Sequence, residues 1–180
     1  MRPMRPALIF LLPVVMAVVA VAAAARPVAT SQPTVAAPPI VGNARNAVVF
    51  DGDSFDLEGR HFQLAGIDAP ELGQRCAEET RPRETCGLAA AYELRKRLQL
   101  DPRPLRCWPQ SETADGTIVA TCAAAEDDLA LVLVESGYAF AQPEAQIDYR
   151  LAEERARTSG IGLWSDSAAA PSDWRAATSS

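Results

Sequence analysis

A chain of 180 residues fits one domain of ordinary size, two at most, and its 48% hydrophobic and 22% charged residues supply a core and exclude wholesale disorder. The formal charge is −6; Arg2, Arg5 and Arg26 precede the folded part, so the remainder holds 14 basic against 23 acidic side chains, a formal −9. That counts against a dedicated nucleic-acid coat protein, which needs a broadly basic surface, but not against an enzyme that holds a phosphate through a metal.

The N-terminus reads as an export signal. Arg2 and Arg5 form a positive n-region, Leu8 to Val21 is apolar with one break at Pro13, and Ala22 to Ala25 offers small-residue cleavage sites. The rival is an uncleaved anchor, because the nineteen uncharged residues Ala7 to Ala25 just span ~30 Å of hydrocarbon. Residues 1–26 are therefore expected to be a signal peptide or N-terminal anchor, and either carries the rest of the chain out of the cytoplasm, to the periplasm or the medium. Residues 27–44, with Pro27, Pro33, Pro38 and Pro39, read as a semi-extended linker. The domain is expected over 45–164. Residues 165–180, rich in Ala and Ser, read as a disordered tail in which Trp174 is the one residue suited to dock. There is no internal repeat.

Inside the domain, Asn46 to Phe50 is a short apolar run and Asp51-Gly52 a turn signal. Ser54–Leu57 and His61–Ile67 follow as strands, with Glu58-Gly59 as the second turn. Pro70 stops the sheet. Leu88, Ala91, Leu94 and Leu98 predict one buried helix face, ended by Pro102 and Pro104. Leu105–Pro109 and Thr117–Ala123 predict a hairpin around Ala114-Asp115-Gly116. Asp127 or Asp128 then caps a short helix, Leu129–Ser136, closed by Gly137, and a charged helix runs from about Gln146 to Thr158, stopping at Gly160. Five short strands with inserted helices suit an α+β, mainly β architecture: a five-stranded barrel of the OB type with flanking helices.

Four cysteines in an exported chain make disulfides the default, in one of three connectivities. A hairpin centred between Ala114 and Asp115 sets Cys107 directly opposite Cys122, at a separation a disulfide accepts. Cys76 then pairs with Cys86 by elimination. A zinc site is disfavoured: there is no close CxxC spacing, and His61 is the sole histidine.

Three carboxylates, Asp53, Asp68 and Glu71, are predicted at the ends of neighbouring strands, an array that suits a hard cation with oxygen ligands, Ca²⁺ especially. A carboxylate near such a metal can also serve as general base toward water. The bland alternative is that Asp51, Asp53 and Asp68 are turn residues bonding nearby amides.

The residues around these acids resemble the staphylococcal nuclease (thermonuclease-like) family. Asp51-Gly52-Asp53-Ser54 is similar to its D-G-D-T/S element, and Leu64-Ala65-Gly66-Ile67-Asp68-Ala69-Pro70-Glu71 to its L-x-G-I/V-D-x-P-E element. Cys86-Gly87, Ala120-Thr121-Cys122, Asp128-Leu129 and Gly160-Ile161-Gly162-Leu163-Trp164 match further landmarks, so the resemblance spans about Asn46 to Trp164. It implies an OB barrel and Ca²⁺-dependent hydrolysis of DNA and RNA. It assigns Asp53 and Asp68 to calcium, the Ala69 carbonyl to the same metal, and Glu71 to activating water. At both positions where active members carry a phosphate-clamping arginine, this chain has neutral Gln63 and Thr117.

Arg60 is three residues from Gln63, on the opposite strand face. Arg75, Arg81 and Arg83, in the loop after Glu71, are the candidates to compensate. The expectation is an exported thermonuclease-like protein with a degenerate site, catalytically impaired or inactive, acting as a binding or structural module. The alternatives are a Ca²⁺-dependent endonuclease using the loop arginines, and a disulfide-braced envelope interaction module. Nucleic acid is disfavoured as a partner and an envelope partner is expected. The membrane is met only through an uncleaved N-terminus, and the chain is expected to be a monomer.

Overall fold

The structure, a computed structural model, describes residues 37–76, 85–100, 102–165 and 168–179. The N-terminal signal or anchor, most of the linker, and Arg81 and Arg83 lie outside the described residues.

The three-strand meander forms as β2 (Val48–Val49), β3 (Ser54–Leu57) and β4 (Arg60–Leu64), antiparallel and in register from Val48↔Asp56 to Ser54↔Gln63. Alternation buries Phe55, Leu57, Phe62 and Leu64, and the rings of Phe55 and Phe62 stack with centroids 5.6 Å apart. The expected third strand does not run through to Ile67. Gly66, at φ +79°, breaks it in a left-handed turn, and β5 (Ile67–Asp68) leaves the main sheet to pair with β9 (Phe140–Ala141). That departure carries Asp68 out of the main sheet.

The predicted hairpin is β6 (Pro104–Glu112) with β7 (Ile118–Ala124), bulged between Pro109 and Ser111. Cys107 faces Cys122 across it and is bonded to it, and the second disulfide joins Cys76 to Cys86. Two disulfides point to an oxidising environment outside the cytoplasm. Among the described residues no helix is long and apolar enough to cross a membrane.

Two short strands complete the main sheet. β1 (Ile40–Asn43), inside the stretch expected to be linker, pairs with β6, and β8 (Asp127–Asp128) pairs with β7. The order β1-β6-β7-β4-β3-β2, with β4 and β7 parallel and β8 beside β7, is the expected α+β, mainly β architecture, built as one mixed seven-stranded sheet with helices packed against it.

Helix α1 (Cys86–Leu100) buries Gly87, Ala90, Ala91, Leu94 and Leu98, while Leu88, expected on that face, falls to its rim and is exposed. Asp128 caps α2 (Leu129–Glu135), its Oδ1 accepting from the Ala130 and Leu131 amides. Helix α3 (Ile147–Thr158) matches its predicted span. The region expected to be a disordered tail contains a further helix, α4 (Pro171–Thr178), started by a proline in its first turn.

Candidate functional site

Close backbone approach sets the site's frame, and glycine permits it at two points. A Cβ on Gly52 would lie 2.5 Å from that of Ala90 and 2.7 Å from that of Ala69, so the turn holding Asp51 and Asp53 is wedged between α1 and the segment after β5. A Cβ on Gly87 would meet the Glu71 carbonyl oxygen at 1.8 Å, so the start of α1 presses on the backbone that presents Glu71. These packing needs account for Gly52 and Gly87 of the motifs.

Asp51 is a turn residue. Its Oδ1 accepts from the Asp53 amide (3.1 Å), the Ser54 amide (2.8 Å) and the Ser54 hydroxyl (2.7 Å). Asp53 is buried, and its Oδ2 accepts from the Ala69 amide at 2.8 Å. Burial first, then the charge of Asp51, pushes the Asp53 carboxyl well above the usual carboxylate range, although the Ala69 amide pulls the other way. Glu71 is fixed through its backbone. Its amide donates to Gln74 Oε1 (3.3 Å) and its carbonyl accepts from the Gln74 amide (2.7 Å), while Gln74 itself is fully buried.

A guanidinium does reach these acids, against the expectation of a pocket without one, and it is none of the arginines considered. Arg175 of α4 donates from Nη1 to Asp68 Oδ1 (2.9 Å) and to Glu71 Oε1 (2.8 Å), and from Nη2 to Asp68 Oδ2 (2.9 Å). The fork on Asp68 is bidentate, and its hydrogen bonds to Asp68 and then Glu71 raise the arginine's already high pKa further. Arg75 is exposed on an isolated bridge with Thr85 and is bonded to none of the three acids.

Gln63 stands half-buried on β4, between Ser54 and Val119. Thr117 is spent on the hairpin turn, donating its amide to Thr113 Oγ1 at 3.1 Å and to Asp115 Oδ1 at 3.3 Å. The Thr113 hydroxyl, then the Thr117 amide, hold the Asp115 carboxyl below its usual range.

A calcium ion asks for six to eight oxygens at about 2.3–2.6 Å. Here Asp68 gives both oxygens and Glu71 one to Arg175, and Asp53 gives one to Ala69. Among the described residues no group of three potential ligands is set to hold a metal. With Arg175 seated, the acids do not fit the ion.

The site is thus a cluster of turn-borne aspartates and a glutamate beside the start of a helix in an α+β domain. The family model "Staphylococcal nuclease homologue" matches residues 61–166, and the chain belongs to that family. A relative from Rhizobium meliloti (strain 1021), the succinoglycan biosynthesis protein ExoI, is 35% identical over 131 residues, 72% of this chain. The match spans 66% of that relative's length, just under two thirds. The family is generally Ca²⁺-dependent. Asp53 and Arg175 both lie outside the span that the family model matches. Sequence reasoning missed Arg175 because its partner Asp68 is 107 residues away; its neighbour Trp174, singled out as suited to dock, was the local hint.

Proposed function

We propose that this protein is an exported member of the family whose inherited phosphodiesterase centre is impaired, and that it serves as a monomeric, disulfide-braced binding or structural module of the cell envelope. The observation that carries the reading is the state of positive charge at the acids. The guanidinium present is committed to Asp68 and Glu71, and the two clamp positions offer neutral Gln63 and Thr117. Phosphodiester cleavage builds negative charge on the phosphoryl oxygens, and fixed cations stabilise it; an arginine supplied to such a site is worth about 10³–10⁵ in rate.

Asp53, Asp68, Glu71 and the Ala69 carbonyl are then the remnants of a calcium and water-activating centre. The charged n-region and apolar stretch at the N-terminus support export, and the net negative charge disfavours nucleic acid as the partner. A relative named for glycan biosynthesis supports a role other than nucleic-acid breakdown. The endonuclease alternative needs Arg75, Arg81 or Arg83 at the acids; Arg75 does not supply the contact, and Arg81 and Arg83 lie outside the described residues. The test is incubation of the protein with Ca²⁺ and single-stranded DNA. No turnover dependent on Glu71 is expected, and cleavage that disappears in Glu71→Gln refutes the reading.

A further inference from the structure

Helix α4 is tied at its base and latched at its far side. Gln74 Nε2 donates to the Ala169 carbonyl at 2.8 Å, and Ala168 and Pro171 are buried. Ala168 joins Cys86, Phe140 and Leu163 in a small second core, with Ala170 packed against it. Beyond Pro171 the helix buries little. Ser172, Asp173 and residues 175–178 are exposed and Trp174 is half-exposed. Among the described residues, the hydrogen bonds from α4 side chains to the rest of the domain are those of Arg175. An eight-residue helix has little stability of its own. One arginine therefore holds a weakly packed helix over the acids.

We propose that α4 is an autoinhibitory plug: Arg175 takes the place of a cation on Asp68 and Glu71, so that a divalent ion reaches these carboxylates only by lifting the helix. The proposal rests on reading Asp68 as an inherited cation ligand and Glu71 as the water-activating acid beside that ion. A metal 2.3–2.6 Å from the Asp68 oxygens would sit against the guanidinium already bonded to both, and the two positive charges exclude each other. Gln74 couples the parts. The same buried side chain accepts from the Glu71 amide and donates to Ala169, so the base of the plug and the backbone of Glu71 share one anchor.

Calcium is the probe, and the full chain is used. By calorimetry, Arg175→Gln is expected to bind Ca²⁺ at least tenfold more tightly than the unaltered protein, with Arg175→Lys in between, since lysine keeps the charge but loses the fork. By hydrogen–deuterium exchange on the unaltered protein, saturating Ca²⁺ is expected to speed exchange across residues 174–178, a readout that needs no variant to fold. Equal Ca²⁺ affinities, no binding by any form, or exchange of α4 unchanged at saturation overturns the plug. Glu71-dependent DNA cleavage by the unaltered protein instead overturns the impaired-nuclease reading and leaves the plug standing.

Discussion

Replacing Tyr149 by phenylalanine removes one hydroxyl and leaves the ring in place. That ring abuts Gly66, in the turn that redirects the chain into β5 and so delivers Asp68. The hydroxyl donates to Asp128 Oδ2 at 2.6 Å, while the other oxygen of Asp128 caps α2. Hydrogen bonds to a charged group contribute about 1.5–3 kcal/mol. Tyr149 is 3% exposed but Asp128 is half-buried, and water can partly rehydrate the abandoned oxygen, so the lower end applies: roughly 1.5–2 kcal/mol. For a domain of this size each kcal/mol moves Tm by about 4 °C, so a fall of ~6–8 °C is expected.

Urea denaturation of Tyr149→Phe, Asp128→Asn and the double variant measures the coupling directly, because asparagine preserves the capping oxygen. Burial, then the bond to Asp128, raises the Tyr149 pKa, so the folded state holds this proton longer than the unfolded chain. Stability from it is complete below the ordinary tyrosine value near 10 and is lost as pH rises past it, a decline that is absent in Tyr149→Phe. A cost below about 0.5 kcal/mol together with zero coupling refutes the reasoning.

Two further outcomes probe the acids themselves. Asp53→Asn, measured in EDTA by chemical denaturation, is expected to be more stable than the unaltered protein at pH 7. The raised pKa means that the folded form resists losing a proton that the unfolded chain gives up above about pH 4, so the native residue costs stability as pH rises; the advantage vanishes below pH 4, and no gain at pH 7 contradicts the burial argument. Gln63→Arg with Thr117→Arg restores the two clamp charges but leaves the plug. Ca²⁺-dependent cleavage of single-stranded DNA is expected to rise by about 10³ or more only when Arg175→Gln is added. Equal cleavage with and without that third change separates the clamp from the plug.

Much of the frame is written locally. The turn Ala114-Asp115-Gly116 sets the β6–β7 register, which places Cys107 opposite Cys122. Asp128 announces the start of α2, Gly87 lets α1 press on the Glu71 backbone, and Gly52 lets its turn fit between α1 and Ala69. These features depend on residues a few positions apart or on one hairpin, where a short stretch of chain fixes the geometry. The break of the third strand at Gly66 was not evident, because a glycine in an alternating run continues a strand or turns left-handed according to what awaits the next residues, here β9. Nor was β1, whose apolar run is too brief to signal a strand until β6 pairs with it.

The sequence by itself determined the family, the disulfide frame, the acids and the neutral residues at the clamp positions. Only the tertiary structure decided what those acids face. A lone arginine in an Ala- and Ser-rich tail carries no local sign of its partner. Its role depends on a chain path that returns α4 over the β5 segment, where charge and a bidentate fork, not periodicity, select the contact.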